Sequence, residues 1–212
     1  QFTPSLSLSY RLLASKPLYV RAMAKHTFRV PTFNDLYYRR LGNIFLKPEK
    51  AHEYGGGLSY ETHYRSLRLL TLTVDGYYND VEDKIVAFPS TYVWRMANYG
   101  KVNVVGVDMT AGMDVALTSK MSINGSVAAT YQRAVDKTNK ASQSYDNQLP
   151  YTPRWSGSGN VVLTMPWFNI GYSVVMQGER YSMEQNKPEY RMHAFWEHSM
   201  VLSRSFKLGG PL

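Results

Sequence analysis

No cysteine occurs among the 212 residues, so disulfides, thiolate metal sites and cysteine nucleophiles are excluded. No uninterrupted apolar run approaches the ~20 residues that a membrane-spanning helix needs, which excludes a helical membrane protein. The first residues, QFTPSLSLSYRLL, have neither a basic start nor an apolar centre, so they do not read as a signal peptide. The chain opens on Gln1 rather than Met, and we expect a processed protein or a piece of a longer one. Basic clustering is also lacking. The net charge is +8, but no basic run exceeds Arg39–Arg40, which argues against a nucleic-acid partner. Apolar residues make up 44% of the chain, against low-complexity disorder. What is abundant is aromatic: 17 Tyr, 4 Trp and 8 Phe, residues that suit surfaces half apolar and half wet.

The apolar residues alternate, and a period of two means strand. Leu6, Leu8, Tyr10 and Leu12 oppose Ser5, Ser7, Ser9 and Arg11. Similar runs begin near residues 18, 54 and 68, all with even apolar parity. After residue 100 the apolar parity becomes odd (Val105, Val107, Met109, Met113, Val115), as it is in 121–131 and 151–165. It is even again in 168–179 and 192–202. The pattern predicts nine strands of roughly 10–15 residues. Soluble strands are usually ~5–6 residues, whereas a strand tilted through a bilayer needs ~9–11.

Connections alternate as well. Residues 14–17, 62–66, 118–120 and Pro166 read as tight turns; 29–49, 89–95, 135–150 and 181–189 read as long loops. An outer-membrane barrel has short turns on one side and long loops on the other, with polar parity facing the lumen and apolar parity the lipid. Tyr54, Tyr60, Tyr78, Tyr99, Tyr131, Tyr151, Trp155 and Trp167 lie where interfacial girdles belong. Hydrocarbon cannot satisfy an open sheet edge, so nine strands alone are not a finished membrane object. The expected fold class is all-β, a partial transmembrane antiparallel up-and-down β-barrel of nine to ten strands.

Four stretches, spanning residues 28–191, resemble the C-terminal half of TonB-dependent outer-membrane receptors. FRVPTFNDLYYRRLGNIFLKPEKAHEYGGGLSYE carries Arg29, Pro31, Phe33, Leu36, Tyr37, Gly42, Asn43, Pro48 and Glu49. RMANYGKVNVVGVDM carries Asn98, Gly100, Gly106 and Asp108, the last where Glu is more usual. YTPRWSGSGNVVL carries Pro153 and Arg154, and GERYSMEQNKPEYR carries Gly178, Arg180 and Tyr181. The 28–61 stretch looks most like Bacteroides-type receptors for cobalamin or siderophores. The resemblance implies import of a large, scarce ligand across a Gram-negative outer membrane. It also implies a plug domain, contacted by the TonB complex, that does not lie within residues 1–212. The whole chain then reads as one segment of a barrel of, in all, about 22 strands. FKLGGPL reads as the periplasmic turn before the closing strands.

Candidate sites follow from the loops. Asn34, Tyr37, Tyr38, Arg39 and Arg40 in the first long loop, Tyr92, Trp94 and Arg95 in the second, and Tyr145 and Asn147 in the third are candidate ligand contacts, with Phe88 beside them. Aromatic rings stack on macrocycles and Arg binds anionic chelates. The same residues also suit contact with lipopolysaccharide phosphates. Arg21, Lys25, Glu53, Asp75, Asp108, Asp114, Arg154, Gln177, Glu179, Arg191 and Glu197 are expected on the lumen face, packing against plug and water. His26, His52, His63, His193 and His198 form no metal-ligand spacing and are expected to be isolated wall residues. GSG at 157–159 is not a nucleophile elbow, and GGG at 55–57 lacks a P-loop's Lys-Ser/Thr. The parity change over Asp80–Lys84 suggests a β-bulge. No catalytic residue, metal site or cofactor is expected. Rival readings are a passive porin or adhesin barrel, a soluble all-β carbohydrate-binding module, and an outer-membrane hydrolase.

Overall fold

A computed structural model describes residues 2–89 and 93–204. The strands are β1 (Ser5–Leu13), β2 (Lys16–Arg29), β3 (Glu49–Tyr64), β4 (Leu67–Pro89), β5 (Trp94–Thr118), β6 (Met121–Asp136), β7 (Trp155–Thr164), β8 (Asn169–Gln177), β9 (Arg180–Tyr181), β10 (Arg191–Met192) and β11 (Phe195–Ser203), with one short α-helix, α1 (Phe33–Tyr37), and a 3-10 turn at Pro188–Tyr190. Nine of them form one sheet in the order β1-β2-β3-β4-β5-β6-β7-β8-β11, and β9 pairs with β10 as a separate ribbon. Every neighbouring pair is antiparallel. No helix among the described residues is long and apolar enough to cross a membrane, which says nothing about crossing by strands.

The four tight turns fall at one end of the meander and the four longer connections at the other. The second long loop differs from expectation. β4 and β5 pair as far as Pro89 and Trp94, so both ends of the expected 89–95 loop are ladder. These strands have 23 and 25 residues, well beyond the expected length. An apolar band ~25 Å tall is crossed by about ten tilted residues, the length seen in β1, β7, β8 and β11. The β4–β5 hairpin therefore exceeds that length by more than a full span.

The sheet is one layer thick. Val127 is 60% exposed and Met200 71%, and no second layer covers the apolar face among the described residues. A soluble module would bury that face. Tyr54 pairs with Tyr78 across the β3–β4 ladder and Tyr131 with Trp155 across β6–β7, giving an aromatic belt near the loop end. Their ring centroids are 6.4 and 4.8 Å apart. The Tyr99 side chain lies outside the described set. Tyr151, expected in a strand, sits in the preceding loop with φ 57°, and β7 begins only at Trp155.

The one apolar core among the described residues is small and lies toward the loops. Ala51, Val81, Val102, Ala134 and Leu149 pack together, and Val102 is fully buried. Ala51, Val81 and Val102 are register partners on the polar, lumen-side parity. Leu149 folds over them from the third long loop, its N–H donating to the Ala134 carbonyl at 2.9 Å. This explains the odd apolar residues that suggested a bulge over Asp80–Lys84. The register does not change there, since Glu82 faces Lys101 and Lys84 faces Tyr99; Asp83 instead takes φ 54°. The register shift in this pair lies at Leu67–Leu69, beside a tight turn.

Candidate ligand-binding loops and lumen face

The lumen face is a ladder of lateral rows. In one row Arg21 on β2, Gly57 on β3 and Asp75 on β4 are register partners. Arg21 Nη2 donates to both Asp75 carboxylate oxygens at 2.9 Å, reaching across the intervening strand. Gly57 makes this possible: a Cβ there would collide with Asp75 Oδ1 and lie 2.5 Å from the Val74 carbonyl oxygen. The device recurs one row toward the loops. Tyr77 on β4 lies over Gly106 on β5, and its hydroxyl donates to Gln132 Oε1 on β6 at 3.2 Å. Lys25 pairs with Glu53 at 3.0 Å, and Thr130 donates to Asp108 at 2.6 Å. The GGG run therefore serves close approach by a side chain. These rows border an open concavity of about 770 Å³. Glu179 and Arg191 do not join them: β8 ends at Gln177, and the two pair at 3.3 Å within the last long loop.

The first long loop is built on Asp35. Thr32 caps α1 by accepting from the Asp35 N–H, while the Thr32 N–H donates back to the Asp35 carboxylate at 2.9 Å. This is the reciprocal arrangement that satisfies two orphan donors at a helix start. Arg29 Nη2 adds a 2.8 Å contact. Burial pushes the Asp35 carboxyl up, but the Thr32 hydrogen bonds and the Arg29 guanidinium outweigh it and hold the group below the ordinary carboxylate value. Beyond α1, Gly42 donates to the Tyr38 carbonyl at 2.7 Å and Asn43 to the Asp35 carbonyl at 2.9 Å.

Asparagines then clip this loop to the overhanging hairpin. Asn43 Nδ2 donates to the Met96 carbonyl at 3.1 Å. Asn98 accepts from Lys47 N–H at 2.9 Å and donates to the Lys47 carbonyl at 3.1 Å and the Asp83 carbonyl at 2.6 Å. Lys137 N–H donates to the Lys101 carbonyl at 2.8 Å, with Thr138 packed on Gly100, joining the third loop. Asn186 and Gln148 exchange side-chain and backbone hydrogen bonds at 2.9 Å, joining the last. Asn147, a candidate ligand contact, instead donates to the Gln143 and Glu184 carbonyls. Tyr145 lies under the Lys137 ammonium, 4.9 Å from the ring centroid. Lys137, at 2.6 Å, and then Arg133, at 2.8 Å, hold the Asp146 carboxyl below its ordinary value against partial desolvation.

Asn34, Tyr37, Tyr38, Arg39 and Arg40 remain exposed together on the first loop, and Arg40 takes φ 70°. Phe33 packs against Tyr37 with tilted rings, centroids 5.0 Å apart. Trp94 packs against Tyr151 with tilted rings, centroids 5.5 Å apart, a partner sequence reasoning missed because it placed Tyr151 in a strand. Arg95 is exposed beside it; Tyr92 and the Phe88 side chain lie outside the described residues. Most resemblance residues act as braces. Besides Asn43 and Asn98, Glu49 accepts from Ile85 N–H at 3.0 Å and Gly178 donates to the Trp155 carbonyl at 2.8 Å. The Tyr181 carbonyl accepts from Tyr151 N–H at 2.7 Å, and the Arg154 carbonyl from Gln132 N–H at 2.8 Å. Arg180 lies 5.3 Å from the Phe195 ring centroid. Leu36 donates through its backbone to the Thr32 carbonyl.

A single-layer sheet with an uncovered apolar face, polar rows inside and knitted loops at one end can be compared with known proteins. A family model described as TonB dependent receptor-like, beta-barrel, matches residues 1–208. The chain belongs to this family. The TonB-dependent receptors are proteins of Gram-negative outer membranes. The chain is 28% identical over 189 residues to the vitamin B12 transporter BtuB of Photobacterium profundum, covering 87% of this chain and 28% of that protein. It is 33% identical over 87 residues to BtuB of Vibrio vulnificus, covering 40% and 13%. Among solved structures it resembles unliganded ferric citrate transporter FecA, with a TM-score of 0.71, 16% identity and coverage of 99% of this chain and 31% of that one. The copper transporter OprC gives a TM-score of 0.70 at 17% identity, covering 96% and 31%. The structural likeness speaks for the fold; the matched receptor chains are about three times longer. These relatives are transporters and receptors rather than enzymes, and Ser158 between two glycines lies inside β7 as ladder.

His26 and His52 are not isolated: they are direct register partners on β2 and β3, with ring centroids 4.5 Å apart. No parity argument finds this, because it depends on cross-strand register.

Proposed function

We propose that the intact protein is a TonB-dependent transporter that captures a large, scarce ligand of the cobalamin or siderophore kind at the cell surface and passes it to the periplasm. Residues 1–212 supply one segment of its barrel wall and four of its outer loops. Outer-membrane lipid and lipopolysaccharide cover the apolar face. A plug elsewhere in the same protein packs on the lumen rows, and the TonB complex acts on that plug. A ligand too large for passive diffusion has to be bound tightly outside, and its release then needs work from the inner membrane. The observation that carries this reading is the braced outer platform: Tyr37, Tyr38, Arg39 and Arg40 stand exposed on a loop whose backbone is fixed by Asp35, Asn43 and Asn98.

The test uses the full-length protein in its own outer membrane. Growth on cobalamin, or on a ferric siderophore as sole iron source, is measured with and without TonB. A joint Tyr37→Ala, Tyr38→Ala, Arg39→Ala variant is measured beside it. TonB-dependent growth that weakens at least tenfold in ligand affinity in the variant supports the proposal. Growth indifferent to TonB returns the protein to the passive-porin reading.

A further inference from the structure

From the His26–His52 pair we propose a divalent transition-metal site on the outer wall of the barrel, just above the aromatic belt. Both imidazoles lie on the apolar parity, one row beyond Tyr54 and Tyr78. The His26 N–H donates to the Pro4 carbonyl at 2.9 Å, toward β1. In an antiparallel ladder a residue's N–H and C=O point to the same side, so toward β3 His26 stands in a non-hydrogen-bonded pair. That is the class in which opposing Cα atoms approach most closely, ~4.5 Å, and side chains meet.

The ring spacing suits chelation. Metal–imidazole bonds of about 2.0–2.1 Å put a metal roughly 3.2 Å from each ring centroid, so a right-angled N–metal–N arrangement separates centroids by about 4.5 Å. The observed separation is 4.5 Å with the planes tilted by 38°. His26 Nδ1 is enclosed and has no hydrogen-bond partner. An unsatisfied enclosed polar atom is destabilising, and coordination removes that cost. Asp80, the next register partner beyond His52, is held by Lys101 at 3.0 Å and Asn103 at 3.1 Å. It therefore serves as a nearby negative charge rather than a third ligand. No group of three or more ligating side chains occurs here among the described residues, so water or lipid headgroup oxygens complete the coordination. Two imidazoles and open positions select borderline ions such as Ni²⁺, Cu²⁺ and Zn²⁺ over Ca²⁺ or Mg²⁺. The site is independent of the ligand-import reading and needs only the β2–β3 register.

The test is calorimetric titration of the full-length protein in detergent micelles with NiCl₂, in parallel with His26→Ala, His52→Gln and His198→Ala variants. The last removes a histidine that instead contacts the Tyr172 hydroxyl at 2.7 Å. Heat-modifiable migration on a gel confirms that each variant is a folded barrel. We expect one Ni²⁺ per chain at this site, a tenfold or greater loss of affinity in His26→Ala and in His52→Gln, and none in His198→Ala. If a variant at residue 26 fails to fold, the exposed His52→Gln change decides alone. No binding, or binding that His52→Gln leaves unchanged, overturns the site.

Discussion

The half of the chain held in lipid and the half that overhangs it are stabilised by different physics. Within the membrane the sheet has no core: each side chain faces lipid or lumen, and the ladder satisfies the backbone. Above the belt there is water on both sides, and the chain behaves like a small soluble domain. It buries Val102 and Leu149, closes α1 with a capping pair and knits loops through asparagine side chains. A single strand such as β5 passes from one regime to the other without changing register.

The sharpest way to break this contrast is to place charge on the lipid face. Val127→Arg is expected to cost about 2–4 kcal/mol of barrel stability. Thr130→Arg, on the lumen face beside Asp108, should be nearly neutral; urea unfolding of the full-length barrel in vesicles compares the two. In the overhang the sensitive change is apolar truncation. Leu149→Ala should cost about 2 kcal/mol or more and open the third loop to protease while the membrane ladder stays intact. Gly106→Ala lies between these regimes. It displaces Tyr77 and should cost about 1–3 kcal/mol, read by loss of the Tyr77–Gln132 contact and a lower unfolding midpoint. Asn186→Ala should remove about 1 kcal/mol of local stability, seen as faster hydrogen exchange confined to the 137–154 and 178–194 loops.

Acid should give the smallest and most local effect. The folded-state pKa of Asp35 is depressed, so its contribution is fully present above the ordinary value of 3.8 and is lost as pH falls through the lower folded value. Hydrogen exchange of the 30–48 loop should rise in that acidic window, and Asp35→Asn should make the rise independent of pH.

Alternation and turn spacing make the number of strands, their order along the chain and the division into two faces legible. Each depends on neighbours a few residues apart. What stays hidden depends on register between strands. Gly57 reads only as part of a Gly-Gly-Gly run without P-loop chemistry until Arg21 and Asp75 are seen to meet over it. Val81 reads as a parity break until Leu149 is seen to cover its row. His26 and His52 look unrelated because they are far apart in sequence yet opposite in space. At the candidate site, the resemblance marks Asn43 and Asn98 without saying what they do. Their role emerges only where the first loop meets the β4–β5 hairpin. The tethering bonds of Asn147 to the Gln143 and Glu184 carbonyls stay hidden because an exposed asparagine and a tethering one look alike in sequence.

The asparagine braces bear on how fast a visitor is caught. A canopy already set when the barrel forms has surrendered its conformational freedom in advance, so little remains to be lost at the moment of encounter. Discrimination between guests then rests on the fixed contour of the canopy rather than on loops remoulding around each one.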